Sequence, residues 1–140
     1  MQERHGRLPW LAPAELDAAQ REVYDGIAGG ARAAAGSPFP LVDAQGRLHG
    51  PFNAMLVSPT LGDALQRLGA AIRFGTSLDL RTREIAILEV ARAARSDFEW
   101  YAHELVGRGA GRTDDELDAL RHGRPARGRR SRRARRARPR

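Results

Sequence analysis

The sequence predicts an all-α fold, an antiparallel helical bundle in a single domain. Apolar residues recur three and four positions apart through most of the chain, which is the spacing of one helix face. Apolar residues make up 41% of the composition and aromatic residues only 6%, and Ala is abundant, so the core suits close-packed helices better than a sheet. The length of 140 residues fits one ordinary domain.

The first part of the chain is predicted to contain one long and one short helix. The long helix is expected to open at Pro13, because proline suits a first turn, and to stop at Gly29-Gly30. Residues 29–50 are rich in Gly, Ala and Pro, which predicts a long irregular connection. A short helix is then expected to open at Pro51. We find no pattern typical of a strand.

Four further helices are predicted downstream. The first is expected over residues 59–74, with an apolar face made of Leu61, Leu65, Leu68 and Ile72. The next two are expected over residues 80–95 and from residue 96 to the glycines at 107 and 109. The last opens with Thr113-Asp114-Asp115-Glu116, a capping-box pattern in which the first and fourth residues satisfy each other's backbone N–H groups.

Cysteine is absent from the sequence, which excludes disulfides, thiolate nucleophiles and cysteine metal sites. The longest apolar stretches are broken by Arg or Glu well short of a membrane span. We therefore expect a soluble, cytoplasmic protein with no membrane partner.

The net charge of +7 is concentrated near the end of the chain. Residues 121–140 hold eleven Arg and no acid, which leaves 13 basic against 17 acidic residues in the rest. We expect a helical domain over residues 1–121 and a disordered, Arg-rich tail over residues 122–140. Such a tail binds polyanions in a salt-dependent way, so nucleic acid is expected as a partner only non-specifically.

The candidate catalytic residues are two glutamates and a histidine. Glu99 and His103 are four apart on one predicted helix, so their side chains lie on the same face and can touch. Glu84 lies on the preceding helix, and a tight turn near Ser96 could bring its carboxylate toward His103. Two carboxylates and an imidazole at an apolar margin are a plausible set for proton transfer.

Structural roles for the same residues stay open. Ser96 and Glu99 also have the spacing of a capping box, in which Glu99 would only satisfy the start of its own helix. Glu84 could simply complement the dipole of its helix. The remaining histidines form no ligand spacing, so no metal site is predicted.

Several segments together resemble the carboxymuconolactone decarboxylase and alkylhydroperoxidase D-like family. The resemblance covers most of residues 8–121, and the ordered set of segments is more specific than any one alone. The segments are Gly50-Pro51-Phe52-Asn53, Arg73-Phe74-Gly75-Thr76-Ser77-Leu78, Arg83-Glu84-Ile85-Ala86-Ile87-Leu88 and Glu99-Trp100-Tyr101-Ala102-His103-Glu104.

The resemblance implies an activity and assigns roles. Glu84 falls on the family's helix glutamate and His103 on its distal histidine, while the two redox cysteines of the alkylhydroperoxidase D-like branch fall on Ser96 and Glu99. Because a hydroxyl and a carboxylate cannot cycle through a disulfide, peroxide reduction is disfavoured. The decarboxylase-type branch remains. It implies a cofactor-free lyase that removes CO2 from a small carboxylated substrate such as a muconolactone, in the setting of aromatic catabolism.

Within that resemblance, His103 is the expected proton donor, with Glu99 as its partner and Glu84 as the orienting carboxylate. The expected substrate-binding residues are Ser96, Phe52 and Trp100. The family also implies a homo-oligomer, a trimer or a hexamer.

The chain departs from the family pattern in two places. Arg112 stands where the family usually has Leu. The family's further C-terminal helices are expected to be absent, because the Arg-rich tail replaces them and has the composition of an out-of-frame product. A truncated, non-catalytic remnant is therefore an alternative to an enzyme, and a nucleic-acid binder acting through the tail is a third.

Overall fold

The computed structural model describes residues 4–36 and 38–124, and within them it confirms the all-α prediction. A two-residue antiparallel hairpin precedes the helices, with β1 at Arg4–His5 and β2 at Leu8–Pro9. The helices are α1 Ala18–Ala28, α2 Ala31–Ala34, α3 Pro51–Met55, α4 Pro59–Phe74, α5 Leu80–Ala93, α6 Asp97–Gly109 and α7 Asp114–Arg121.

The prediction that the chain contains no strand is wrong for the short hairpin near the start. Gly6 lies between β1 and β2 with φ 65°, a left-handed conformation that glycine adopts without steric cost. One isolated bridge also joins Val42 to Leu48 inside the long connection. Both features are too short to carry a periodic sequence pattern, which is why they were not predicted.

The first helix starts later than predicted. Pro13 opens only a three-residue 3-10 turn that ends at Glu15. α1 begins after Asp17, whose carboxylate accepts a 2.8 Å hydrogen bond from the Gln20 backbone N–H. The side chain of Gln20 accepts a hydrogen bond from the Asp17 backbone N–H in return, which completes a capping box. Side-chain capping therefore sets this boundary, and the proline only opens a separate 3-10 turn.

The hydrophobic core consists of two clusters. One fills the space between α5, α6 and α7 with Leu88, Ala91, Trp100, Leu117 and Leu120. The other joins α1 to the connection and to α3, with Val23, Ile27, Leu48 and Leu56. The first cluster lies against the pair of helices that carries the predicted catalytic residues.

The apolar face of α4 is exposed in this single chain. Leu61, Leu65, Leu68 and Ile72 keep 45–58% of their surface accessible. The residues of α4 that are buried are Gly62 and Gln66. Periodicity correctly located an apolar face here, but packing in the monomer buries the opposite, more polar side of the helix.

Candidate active site

α5 and α6 form a helical hairpin whose tight turn sets the site. α5 ends at Ala93, and Arg95 follows in the left-handed region with φ 52°. The Ser96 N–H donates back to the Ala91 carbonyl at 2.9 Å, and Ser96 then becomes the N-cap of α6. This reversal places Glu84 of α5 beside His103 of α6, as the sequence predicted.

Glu84 is the buried end of the site. Its side chain has no exposed surface, and its Oε2 lies 2.6 Å from Nδ1 of His103. An ionised carboxylate only accepts hydrogen bonds, so in the form of the pair with an ionised Glu84 the donor is Nδ1. The other oxygen, Oε1, is buried without a hydrogen-bond partner among the described residues. One carboxylate oxygen thus orients the imidazole, and the second faces the guanidinium of Arg83 at 3.5 Å.

Glu99 lies on the opposite side of the imidazole. Its Oε2 is 3.5 Å from Nε2 of His103, the spacing expected for residues four apart on one helix. Exposure rises in order along the set, from 0% for the Glu84 side chain to 11% for His103 and 38% for Glu99. The site therefore opens toward solvent on its Glu99 side.

The capping alternative for Glu99 is met only in part. The Ser96 hydroxyl does accept from the Glu99 backbone N–H, at 3.4 Å. A full capping box would also need the Glu99 carboxylate to accept from the Ser96 N–H, and that N–H is already donated to the Ala91 carbonyl. The carboxylate of Glu99 is thus free of the cap and lies next to His103.

Two arginines, Arg83 and Arg73, lie near these acids. The sequence analysis did not predict that they contribute to the site. Nε of Arg83 lies 3.5 Å from Oε1 of Glu84, and its guanidinium also donates to the Arg73 carbonyl. Burial lowers the pKa of Arg73, and the charges of Glu84 and Glu99 partly oppose that shift. The sequence signal that could have found Arg73 is a basic residue at the end of α4, on the side of the helix that faces inward.

The three predicted substrate-binding residues lie in different surroundings. Ser96 is half-buried at the start of α6, next to the catalytic set. Phe52 is half-buried, and the guanidinium of Arg32 sits over its ring at 5.1 Å. Trp100 keeps only 5% of its surface and packs into the core cluster of α5, α6 and α7. Contact of any of the three with a substrate stays a prediction.

Arg112, the departure from the family pattern, is accommodated as a buried residue. Its guanidinium donates to the Arg81 carbonyl at 3.0 Å and lies 3.6 Å from the Glu116 carboxylate. The two terminal nitrogens are therefore paired by α5 and α7, while Nε is buried without a hydrogen-bond partner among the described residues.

Within residues 4–36 and 38–124, no group of three or more His, Cys, Asp or Glu side chains is placed to hold a metal ion. Among the helices of this described part, none is long and apolar enough to cross a membrane.

The arrangement is suited to proton transfer. A buried carboxylate fixes the imidazole through Nδ1, which leaves Nε2 directed at a more exposed carboxylate. A proton held between Nε2 and Glu99 is accessible from the open side of the set, while the Glu84 side is sealed from water.

Of the comparisons with known proteins, one gives a match. Among curated proteins and among solved structures, none matches the chain significantly. A sequence model of the carboxymuconolactone decarboxylase family matches residues 59–137. The match begins with α4, includes the whole α5–α6 hairpin with Glu84, Glu99 and His103, and extends past the described residues. More than half of the chain is covered, and the chain belongs to the carboxymuconolactone decarboxylase family.

Proposed function

We propose that the protein is a cofactor-free acid–base lyase that decarboxylates a small carboxylated substrate of the muconolactone type. The observation that carries this proposal is the 2.6 Å contact between a fully buried Glu84 carboxylate and His103. Family membership supports this reaction class, and the absence of cysteine from the whole sequence disfavours the peroxide-reducing alternative.

In the proposed reaction, the bond between the substrate carbon and its carboxylate breaks, and CO2 leaves. The electron pair stays on that carbon and spreads into the neighbouring carbonyl as a dienolate. His103 then delivers a proton from Nε2 to the carbon, and solvent returns a proton to the imidazole. Glu84 stabilises the imidazolium form by accepting from Nδ1, and Glu99 holds the proton near Nε2 between turnovers.

We also propose that the enzyme works as a homo-oligomer, a trimer or a hexamer. The support is the exposed apolar face of α4, where Leu61, Leu65, Leu68 and Ile72 are each 45–58% accessible. Contiguous apolar patches on a monomer usually mark interaction surfaces. A second copy of the same chain is the partner that this surface is proposed to meet.

The test is turnover of carboxymuconolactone, followed by CO2 release and by the change in substrate absorbance. His103→Gln keeps the size of the side chain and removes the proton donor. We expect the rate to fall by about 10²-fold or more, which is the usual contribution of a positioned acid or base. Glu84→Gln should cause a comparable loss, because an amide stabilises an imidazolium poorly.

Two exposed residues serve as matched controls. His122→Gln changes a surface histidine that pairs with Asp118, and Glu89→Gln changes an α5 glutamate that pairs with Arg92. Both controls should keep the full rate. Undiminished turnover in His103→Gln would show that the proton comes from elsewhere. A wild-type chain that folds and assembles but turns over no carboxylated lactone would favour the non-catalytic alternative.

A further inference from the structure

Arg32 is a buried cation without a counter-ion. Only 9% of its surface is exposed, and its Nε is buried with no hydrogen-bond acceptor among the described residues. No carboxylate in the described part of the chain lies within ion-pair distance of it. Its guanidinium lies over the face of the Phe52 ring, with Cζ 5.1 Å from the ring centroid, which is a cation–π contact. A buried charge in a folded protein is normally paired, so this side chain lacks the partner that its burial calls for.

A second arginine lies along the same surface of α4. Nη2 of Arg32 comes within 3.0 Å of where a Cβ on Gly69 would stand, so the guanidinium rests directly on that helix. Arg73 is one turn further along the same face. Burial lowers the pKa of Arg32, and the charge of Arg73 lowers it further. Two like charges are thus held near each other, and neither is ion-paired within the described residues.

The pair connects an open cleft to the proposed catalytic set. Arg32 and Phe39 line a cleft of about 210 Å³, whose other walls are mainly apolar. The Phe39 ring packs edge-on against Phe98 of α6 at 5.3 Å, one residue before Glu99. At the other end, the Arg73 carbonyl accepts from the Arg83 guanidinium, whose Nε lies 3.5 Å from Oε1 of Glu84, and the charges of Glu84 and Glu99 act on Arg73. The guanidinium groups of Arg32 and Arg73 therefore lie between the cleft on one side and the carboxylates of Glu84 and Glu99 on the other.

We propose that Arg32 and Arg73 form an anion subsite that binds a carboxylate of the substrate, next to the Glu84–His103 pair. A guanidinium presents N–H donors in a planar fork that fits the two oxygens of a carboxylate. Binding such a group supplies the missing counter-ion for Arg32 and relieves its repulsion with Arg73. This inference rests on the proposed function, and it names the part of the site that selects substrates with a second carboxylate.

The subsite is tested by binding of glutarate, a five-carbon dicarboxylate, measured calorimetrically at low ionic strength. Arg32→Met keeps the apolar stem of the side chain and removes the charge, and Arg73→Gln removes the second charge. Each substitution should weaken glutarate binding by about tenfold or more, the loss expected for a charge-assisted hydrogen bond. The matched control is Arg67→Gln on the same helix, where the side chain is 71% exposed and pairs with Asp63 at 2.9 Å. The control should bind glutarate as the wild type does.

A purely structural role for Arg32 gives a different result in thermal melting. If the side chain is held for a ligand, ligand-free Arg32→Met should melt at the wild-type temperature or above it, because an unpaired buried charge has been removed. A large drop in melting temperature together with unchanged glutarate affinity would overturn the proposal. Tight binding of inorganic phosphate without binding of glutarate would overturn the assignment to carboxylates.

The catalytic proposal and the anion-subsite proposal can be refuted independently of each other. His103→Gln should lose turnover and keep glutarate binding, whereas Arg32→Met should lose glutarate binding. Retained turnover in His103→Gln refutes the proton donor and leaves the subsite intact. Retained glutarate affinity in both arginine variants refutes the subsite and leaves the proton donor intact.

Discussion

At the scale of single residues, Glu84, His103 and Glu99, the proposed proton-transfer set, differ most in their exposure. Glu84 is sealed inside the molecule, while the Glu99 side chain is 38% exposed. A buried carboxylate interacts strongly with the imidazole because little water screens the two groups. The Glu99 carboxylate is better solvated and is the member that a substrate entering from outside would meet first.

This difference predicts that Glu99 matters for turnover and little for stability. Glu99→Gln leaves the Ser96 cap in place, because that cap uses the backbone N–H of residue 99. We expect the free energy of unfolding to change by less than about 0.5 kcal/mol, as for most surface substitutions. Turnover should fall by about tenfold or more, since the amide no longer exchanges a proton with Nε2.

The measurement pairs denaturant unfolding with the rate on carboxymuconolactone. Thr113→Ala is the comparison variant, because it removes a hydroxyl that caps α7 and should cost about 1 kcal/mol of stability. If Glu99→Gln instead loses stability as Thr113→Ala does and keeps its rate, Glu99 is a structural residue.

At the scale of elements, three helices end with the same backbone motif. After α5, α6 and α7, the next residues fold back so that two N–H groups bond to carbonyls of the last turn. The motif places one residue in the left-handed region, and that residue is Gly111 after α6 and Gly123 after α7. After α5 it is Arg95, with φ 52°, where the Cβ crowds the backbone.

Arg95→Gly should therefore stabilise the hairpin that carries the site. The left-handed conformation costs a non-glycine residue about 1 kcal/mol, and the greater freedom of glycine in the unfolded chain offsets part of the gain. We expect a net increase of about 0.5 kcal/mol in the free energy of unfolding. Gly111→Ala is the reverse change in the same motif and should destabilise, although its Cβ would meet only an ordinary contact at 3.9 Å. If Arg95→Gly and Gly111→Ala changed the free energy of unfolding in the same direction, this account would be refuted.

Local sequence patterns predicted most of the helices. Of the candidate site they predicted the two glutamates and the histidine, but neither Arg32 nor Arg73. The bounds of α4 and the capping box of α7 follow from Pro59 and Thr113, because these signals act within one turn. The Glu99–His103 contact follows from helix geometry alone. Arg32 could not be found this way, because it lies in the short helix α2, inside the stretch predicted to be irregular, and is buried by packing on α4. Long-range packing of that kind leaves no periodic trace in a sequence.

At the scale of the whole molecule, the position of α4 explains why its apolar residues are exposed. α4 turns Gly62 and Gln66 inward, and Gly62 approaches α3 so closely that a Cβ there would lie 2.1 Å from the Met55 carbonyl oxygen. Glycine at this position lets α4 pack through its more polar side. The leucine stripe, which is the apolar face made of Leu61, Leu65, Leu68 and Ile72, therefore stays exposed. The proposed oligomer would bury such a surface, and the predicted disordered tail lies, from residue 125 onward, outside the described residues.

Charging the leucine stripe should separate the subunits without unfolding them. Leu65 and Leu68 are 45% and 58% exposed in the single chain, so the double substitution Leu65→Asp and Leu68→Asp disturbs little inside one subunit. In an oligomer buried through α4, the same change places four or more carboxylates in an apolar interface, where each costs several kcal/mol of association free energy. Sedimentation velocity should show the wild type as an oligomer and the variant as a monomer with unchanged helical circular dichroism. Ala19→Asp on the exposed side of α1 is the control and should sediment like the wild type. A wild type that is already monomeric would refute the proposed oligomer, and a variant that remains assembled would place the subunit contact elsewhere.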